Sequence, residues 1–127
     1  MQKGLIYLKI AKISYIRQED LTQKTEYFIL DCENKIIEVY NQTLDKPRLV
    51  EFGDFEIESI VEHFLTLTSS WKSHYENLNI LDGYEWRVFI ESKLHGTMEY
   101  TGKNEVPANF YQISEIIEEL ASVEENI

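Results

Sequence analysis

Basic residues are few in this 127-residue chain: 12 Lys and Arg stand against 23 Asp and Glu, for a formal net charge of −11. Proteins that bind nucleic acid or anionic membrane surfaces need clustered Lys and Arg to neutralise phosphate. The shortage therefore argues against direct nucleic-acid binding and against a membrane-surface function. The chain also lacks a run of roughly 18–20 apolar residues, the length that crosses a bilayer, so we expect no membrane span.

Cysteine is nearly absent as well. Cys32 is the single cysteine and cannot form an internal disulfide, which suits a reducing compartment. A secretory signal is not indicated, because the apolar run over residues 4–8 is interrupted by Lys9 and Lys12 and no small-residue cleavage site follows. We therefore expect a cytoplasmic protein.

Glycine is sparse too, and the five glycines are spread singly, which excludes a glycine-rich phosphate-binding loop. Apolar residues, by contrast, are plentiful. Hydrophobic residues make up 43% and aromatic residues 13% of the chain, which is enough for a folded core. Length and composition together predict one domain over residues 1–127.

Alternation of apolar and polar residues predicts the strands of a sheet. The expected strands are residues 6–15 with a bulge near Lys12, 25–30, 36–40, a short edge strand over 49–52, 84–91 and 97–101. The segment over residues 71–83 is expected to be a connection without regular structure.

Apolar residues at helical spacing predict two amphipathic helices. The first begins with Asp54 as its N-cap, and the second carries Pro107 in its first turn. Their buried stripes are Ile57, Ile60, Val61, Phe64, Leu65 and Thr68 in the first helix, and Phe110, Ile113, Ile116, Ile117 and Leu120 in the second. Hairpins followed by helices indicate an α+β fold: an antiparallel sheet of about five to six strands with both helices packed on one face.

The net charge is concentrated in two segments. Residues 49–71 hold five acids and no Lys or Arg, and residues 104–127 hold six acids and no Lys or Arg. The rest of the chain balances, so the entire net charge belongs to the helical segments and their flanks. Like charges four residues apart, such as Glu58 with Glu62 and Glu115 with Glu119, destabilise a helix by about 0.2–0.5 kcal/mol per pair.

Two interpretations of these acidic helices remain open. An acidic face can simply keep a protein soluble. Alternatively, the face docks a basic partner, and the complementary potential speeds the encounter.

No constellation for catalysis or metal binding stands out. His63 falls on the helix face away from the apolar stripe, His95 falls in a hairpin turn, and His74 lies close to two acids along the chain. Cys32 could act as a nucleophile only if a histidine approached it in space. No His-x-x-x-His or Cys-x-x-Cys spacing is present, so the sequence predicts no metal, no cofactor and no enzymatic activity.

The aromatic residues divide into two groups. Trp86 alternates with Val88 and Ile90 on one face of a strand and is expected in the core. Trp71 and Tyr75 follow the first helix and cover an open end of the core in the simplest interpretation. The alternative is a pair of partly exposed anchors, because tryptophan and tyrosine dominate protein–protein hot spots.

Three motifs follow one another in the second half of the chain. They are Trp71-x-x-x-Tyr75, Leu81-Asp82-Gly83-x-x-Trp86 and Gly102-x-Asn104-x-x-Pro107-x-Asn109-Phe110. Over residues 70–120 the chain thereby resembles a group of small bacterial proteins similar to the immunity-type proteins that accompany toxins, including contact-dependent growth inhibition systems. The resemblance implies a toxin as partner and no catalytic residues. The motifs also have folding explanations: Asp82-Gly83 favours a turn, and Asn104, Pro107 and Asn109 can cap and start a helix.

The leading hypothesis is therefore an immunity protein that neutralises a toxin, for example a nuclease, by occluding its basic active-site surface. The residues expected to contact the partner are Glu58, Glu62, Trp71, Tyr75, Glu115, Glu118 and Glu119. A phage-encoded acidic inhibitor of a host defence nuclease fits the same charge and size. A small enzyme or ligand-binding domain with a polar cavity around His74 or Cys32 is the third hypothesis.

Overall fold

The structure, a computed structural model, describes residues 10–122. This part of the chain forms seven strands and two helices. In chain order they are β1 (Ile10–Glu19), β2 (Thr25–Asp31), β3 (Ile36–Tyr40), β4 (Arg48–Glu51), α1 (Asp54–Thr68), β5 (His74–Glu76), β6 (Tyr84–Ser92), β7 (Gly96–Lys103) and α2 (Tyr111–Ser122).

All seven strands belong to one sheet with the order β4-β3-β2-β1-β6-β7-β5. Neighbouring strands are antiparallel except β5, which runs parallel to β7 with Tyr75 opposite Gly102. The prediction of five to six purely antiparallel strands is therefore wrong in number and in one pairing. The missed strand, β5, lies inside the segment predicted as a connection, because three residues are too few to show alternation.

The centre of the sheet is β1, which pairs with β2 on one side and β6 on the other. The register against β6 shifts between Ile10 and Lys12, which confirms the predicted bulge. The expected start of this strand at residue 6 lies outside the described residues. The short edge strand predicted over residues 49–52 is present as β4.

The core lies between one face of the sheet and both helices, as predicted. Phe64 of α1 stacks on Phe28 of β2 with 5.1 Å between ring centroids. Leu67 is buried, whereas the predicted Leu65 is only half-buried. The other buried residues of the helices are Ile57, Val61, Thr68, Ile113, Ile117, Leu120 and Ala121.

Both helices begin differently from the prediction. Asp54 is the first helical residue rather than the N-cap; Gly53 precedes the helix, and its N–H donates to Glu56 Oε1 at 3.0 Å. Asp54 instead pairs with Lys35 at 2.6 Å. Pro107 lies four residues ahead of α2, and its carbonyl accepts the N–H of Phe110 in a turn.

Aromatic rings close the core at the end where α1 finishes and α2 starts. Trp86 lies 5.5 Å from Trp71, 4.7 Å from Phe110 and 6.1 Å from Tyr75, measured between ring centroids. Gly102 of β7 makes room for this cluster, because a Cβ there would lie 2.1 Å from Trp86 Nε1.

Candidate interaction surface

The two helices lie side by side and present their carboxylates to solvent. His63 Nε2 of α1 and Gln112 Oε1 of α2 are hydrogen bonded at 3.1 Å across the helix pair. Glu115, Glu118 and Glu119 are exposed, as the helical pattern predicts, and line an open groove of about 530 Å³ next to His63. We call these three glutamates and His63 the acidic groove.

The carboxylates of the helices are mostly unpaired. Of the seven Asp and Glu side chains on α1 and α2, Asp54 alone forms an ion pair within 4.0 Å among the described residues. The lysines that are paired elsewhere, Lys93 with Glu33 and Lys103 with Glu85, neutralise acids of the strands and turns. The negative potential of the helices is therefore left for solvent or for a partner.

The structure does not gather all the predicted carboxylates in one place. Glu58 lines a separate depression of about 180 Å³ together with Cys32 and Lys93. Glu62 is exposed on α1 beside His63. Of the predicted contact residues, only the three α2 glutamates line one groove. The predicted carboxylates are therefore spread over the helix layer and do not form a single site.

Trp71 belongs to the core and is only 9% exposed. Its indole N–H donates to Asn109 Oδ1 at 2.7 Å. Tyr75 is half-buried in β5, and its hydroxyl accepts the backbone N–H of Lys72 at 2.9 Å. This placement agrees with the interpretation that both rings cover an open end of the core, and it leaves Trp71 little area to offer a partner.

The side chains of Asn104 and Asn109 join separate segments of the chain by hydrogen bonds and do not act as helix caps. Asn109 accepts from Trp71 and donates through Nδ2 to the carbonyl of Leu67 at 3.0 Å. Asn104, at a backbone φ of 61°, accepts the N–H of Tyr84 at 2.9 Å and donates to the carbonyl of Ile80 at 3.0 Å. These contacts give the motif residues a folding role.

Thr101, His74 and Glu76 are hydrogen bonded in the order hydroxyl, imidazole and carboxylate, which is also the order in a hydrolase triad. His74 Nδ1 lies 2.7 Å from Thr101 Oγ1, and its Nε2 lies 3.0 Å from Glu76 Oε1. A nucleophilic hydroxyl also needs donors for the developing oxyanion, often the N–H of the nucleophile itself. The N–H of Thr101 is already bonded to the carbonyl of Ser73 at 2.9 Å. This N–H is therefore not available to an oxyanion, and the hydrogen bonds of these side chains instead link the edge strand β5 to β7.

An apolar depression lies on the sheet face opposite the helices, which the sequence did not single out. It measures about 380 Å³ over the small side chain of Ser14 and is lined by Ile16, Ile29 and Phe89. At its edge the Tyr27 hydroxyl donates to Glu38; burial and this bond raise the pKa of Tyr27 to about 12.

Cys32 is half-buried in the turn after β2. Burial raises the pKa of its thiol to about 11, nearby Asp31 acts in the same direction, and Lys93 opposes them. A thiol with this pKa is almost fully protonated at neutral pH and is a poor nucleophile.

We expect native Cys32 to react with iodoacetamide about 100-fold more slowly at pH 8 than in the urea-unfolded chain, where the thiol has a pKa of about 8.5. The alkylation rate of the folded protein should rise with pH to a midpoint near 11. Mass spectrometry of timed samples measures both rates. Equal rates in the folded and unfolded chains would contradict the burial of the thiol.

Within residues 10–122 no three His, Cys, Asp or Glu side chains come together in a way that could hold a metal ion. Over the same residues neither helix has the length and apolar composition needed to cross a membrane.

Comparison with known proteins identifies no relative. No protein-family model matches the chain, and no curated protein or solved structure matches it.

Proposed function

We propose that the protein is an immunity-type inhibitor that binds a basic toxin, for example a nuclease, and blocks its active-site surface without turnover. The observation that carries this proposal is the acidic groove, whose glutamates have no cationic partner among the described residues. The resemblance of residues 70–120 to immunity-type proteins points in the same direction.

The charge distribution fits such a partner for a physical reason. Nuclease clefts carry positive potential because they hold phosphate. A folded domain with unpaired carboxylates on two adjacent helices presents complementary potential and raises the association rate, by about 10-fold to 1,000-fold when salt is low. The partner is thus drawn to the helix layer and loses access to its substrate.

The test is a charge reversal in the acidic groove. The E115K/E118K/E119K variant changes the formal net charge from −11 to −5. We expect its association rate with the partner to fall about 10-fold or more at low salt and to depend less on salt. The partner is first identified by affinity capture from the native host, purified, and then measured by surface plasmon resonance.

The matched control is E38K/E91K/E99K, which makes the same change in net charge on the opposite face of the sheet and away from both proposed contact regions. If both variants lose the same amount of association rate, total charge matters and the acidic groove is not the contact surface. If the captured protein is not basic, or if its toxicity to growing cells is unchanged when this chain is co-expressed, the immunity proposal fails. A captured host defence nuclease would instead identify a phage-type inhibitor.

A further inference from the structure

Four large aliphatic side chains are exposed in two neighbouring loops at one end of the sheet. Leu21 lies in the turn between β1 and β2, and the others lie in the loop between β5 and β6. Their side chains are exposed by 76% for Leu21, 82% for Leu78, 42% for Ile80 and 90% for Leu81. We call these four residues the apolar tip. Single exposed leucines are common on protein surfaces, but a contiguous apolar patch marks an interaction site.

The two loops that carry the apolar tip are bonded to each other. The backbone N–H of Asp20 donates to the carbonyl of Gly83 at 2.7 Å, and the N–H of Gly83 donates to Asp20 Oδ2 at 3.2 Å. These bonds bring Leu21, next to Asp20, to the same end as Leu81, two residues before Gly83. The two loops therefore lie at the same end of the sheet, although Leu21 and Leu81 are 60 positions apart in the sequence.

The loop between β5 and β6 is also fixed by hydrogen bonds to Lys103 and Asn104. Asn104 is 5% exposed and binds the carbonyl of Ile80 and the N–H of Tyr84. The N–H of Asn77 donates to the carbonyl of Lys103 at 3.0 Å, and the N–H of Asn79 donates to Asn77 Oδ1 at 3.0 Å. A loop ordered in this way loses little conformational entropy when it binds, which favours affinity.

Acidic side chains outnumber basic ones around the apolar tip. The segments over residues 19–24 and 76–85 hold the acids Glu19, Asp20, Glu76, Asp82 and Glu85 and one basic residue, Lys24. Lys103 lies next to these segments, because its backbone carbonyl accepts the N–H of Asn77, and its Nζ is 4.0 Å from Glu85. Such a rim repels the same rim on a second copy of the chain and repels anionic lipid headgroups. It attracts a protein surface whose apolar pocket is bordered by Lys and Arg.

We propose that the apolar tip is the anchor of the complex: it inserts into an apolar pocket, bordered by Lys and Arg, on the basic protein partner. This inference rests on the proposed function for the class of partner. Phe110, just before α2, contacts Trp86 in the first part of β6, the strand that follows the tip loop, so the tip lies at the end of the molecule where α2 begins. The tip supplies the buried apolar contact that Trp71 does not provide, while the acidic groove governs the rate of encounter.

The test uses the full chain and the purified partner protein identified as described above. We expect L78S/L81S to raise the Kd about 100-fold, mainly through faster dissociation, with little change in association rate. The matched control is L94S, because Leu94 is 65% exposed in the β6–β7 turn at the other end of these strands. Calorimetry and surface plasmon resonance measure affinity and rates, and thermal unfolding shows that all variants fold.

A photocrosslinking amino acid at position 81 locates the contact independently. The expected adduct joins this position to the partner, with no adduct from position 94. An adduct with a second copy of the chain, or an unchanged Kd for L78S/L81S, overturns the anchor. If E115K/E118K/E119K lowers the association rate while L78S/L81S binds normally, the anchor is wrong and the proposed function stands. If no basic partner binds the wild type, the proposed function itself fails.

Discussion

Replacing Trp86 with alanine is expected to lower the free energy of unfolding by about 3–5 kcal/mol. Trp86 is 1% exposed and contacts the rings of Trp71 and Phe110. Its indole N–H also donates to the carbonyl of Glu105 at 2.8 Å, and this acceptor would lose its partner. Removing the indole leaves a cavity that the rigid sheet cannot close, which adds to the lost apolar transfer free energy.

Urea denaturation followed by circular dichroism measures this loss. The midpoint should fall while the m-value stays constant, since the surface exposed on unfolding is nearly the same. Leu94→Ala is the control, because this exposed side chain should change the free energy by no more than about 0.5 kcal/mol. A loss below about 1 kcal/mol for Trp86→Ala would mean that the aromatic cluster is not packed as described.

Asn109→Ala is expected to destabilise the protein by about 2–4 kcal/mol, although it removes only a small polar side chain. The asparagine is the partner of two groups at once, the Trp71 indole N–H at 2.7 Å and the Leu67 carbonyl at 3.0 Å. Leaving a buried donor or acceptor without a partner costs about 1–3 kcal/mol for each group.

The same denaturation experiment measures the Asn109 variant, and the exposed Asn79→Ala serves as its control. A change in Asn109→Ala as small as that in Asn79→Ala would show that water replaces the side chain at both groups. In that case the two hydrogen bonds of Asn109, which join the end of α1 to the start of α2, would contribute little to stability.

The first helix could be predicted almost completely from the sequence. Its predicted apolar stripe, from Ile57 to Thr68, lies within the observed helix Asp54–Thr68, because amphipathic spacing is a local property that one segment carries alone. The strands that alternate over five or more residues were found for the same reason. The errors fell where local signals are short or ambiguous: the three-residue β5, the Asp54 cap and the position of Pro107 ahead of α2.

The candidate site was predictable only in part. Counting charges located the acids on the helical segments, but their grouping depends on how the helices pack, and Glu58 lies apart from Glu115, Glu118 and Glu119. The apolar tip was not predicted. The sequence does carry an indication of it, because Leu78, Ile80 and Leu81 stand among Asn, Asp and Gly residues. Aliphatic side chains concentrated in a turn-forming segment have no strand or helix face to join.

The sequence by itself determined the α+β class, the burial of Trp86 and the segregation of negative charge, because composition and periodicity are properties of neighbouring residues. The tertiary structure alone decided that Trp71 is buried beside Asn109 and that the loops of Leu21 and Leu81 meet at one end of the sheet. These outcomes depend on hydrogen bonds between residues 38 and 63 positions apart, Trp71 with Asn109 and Asp20 with Gly83. No local pattern records such pairings, since they form only when the sheet and both helices have assembled around the core.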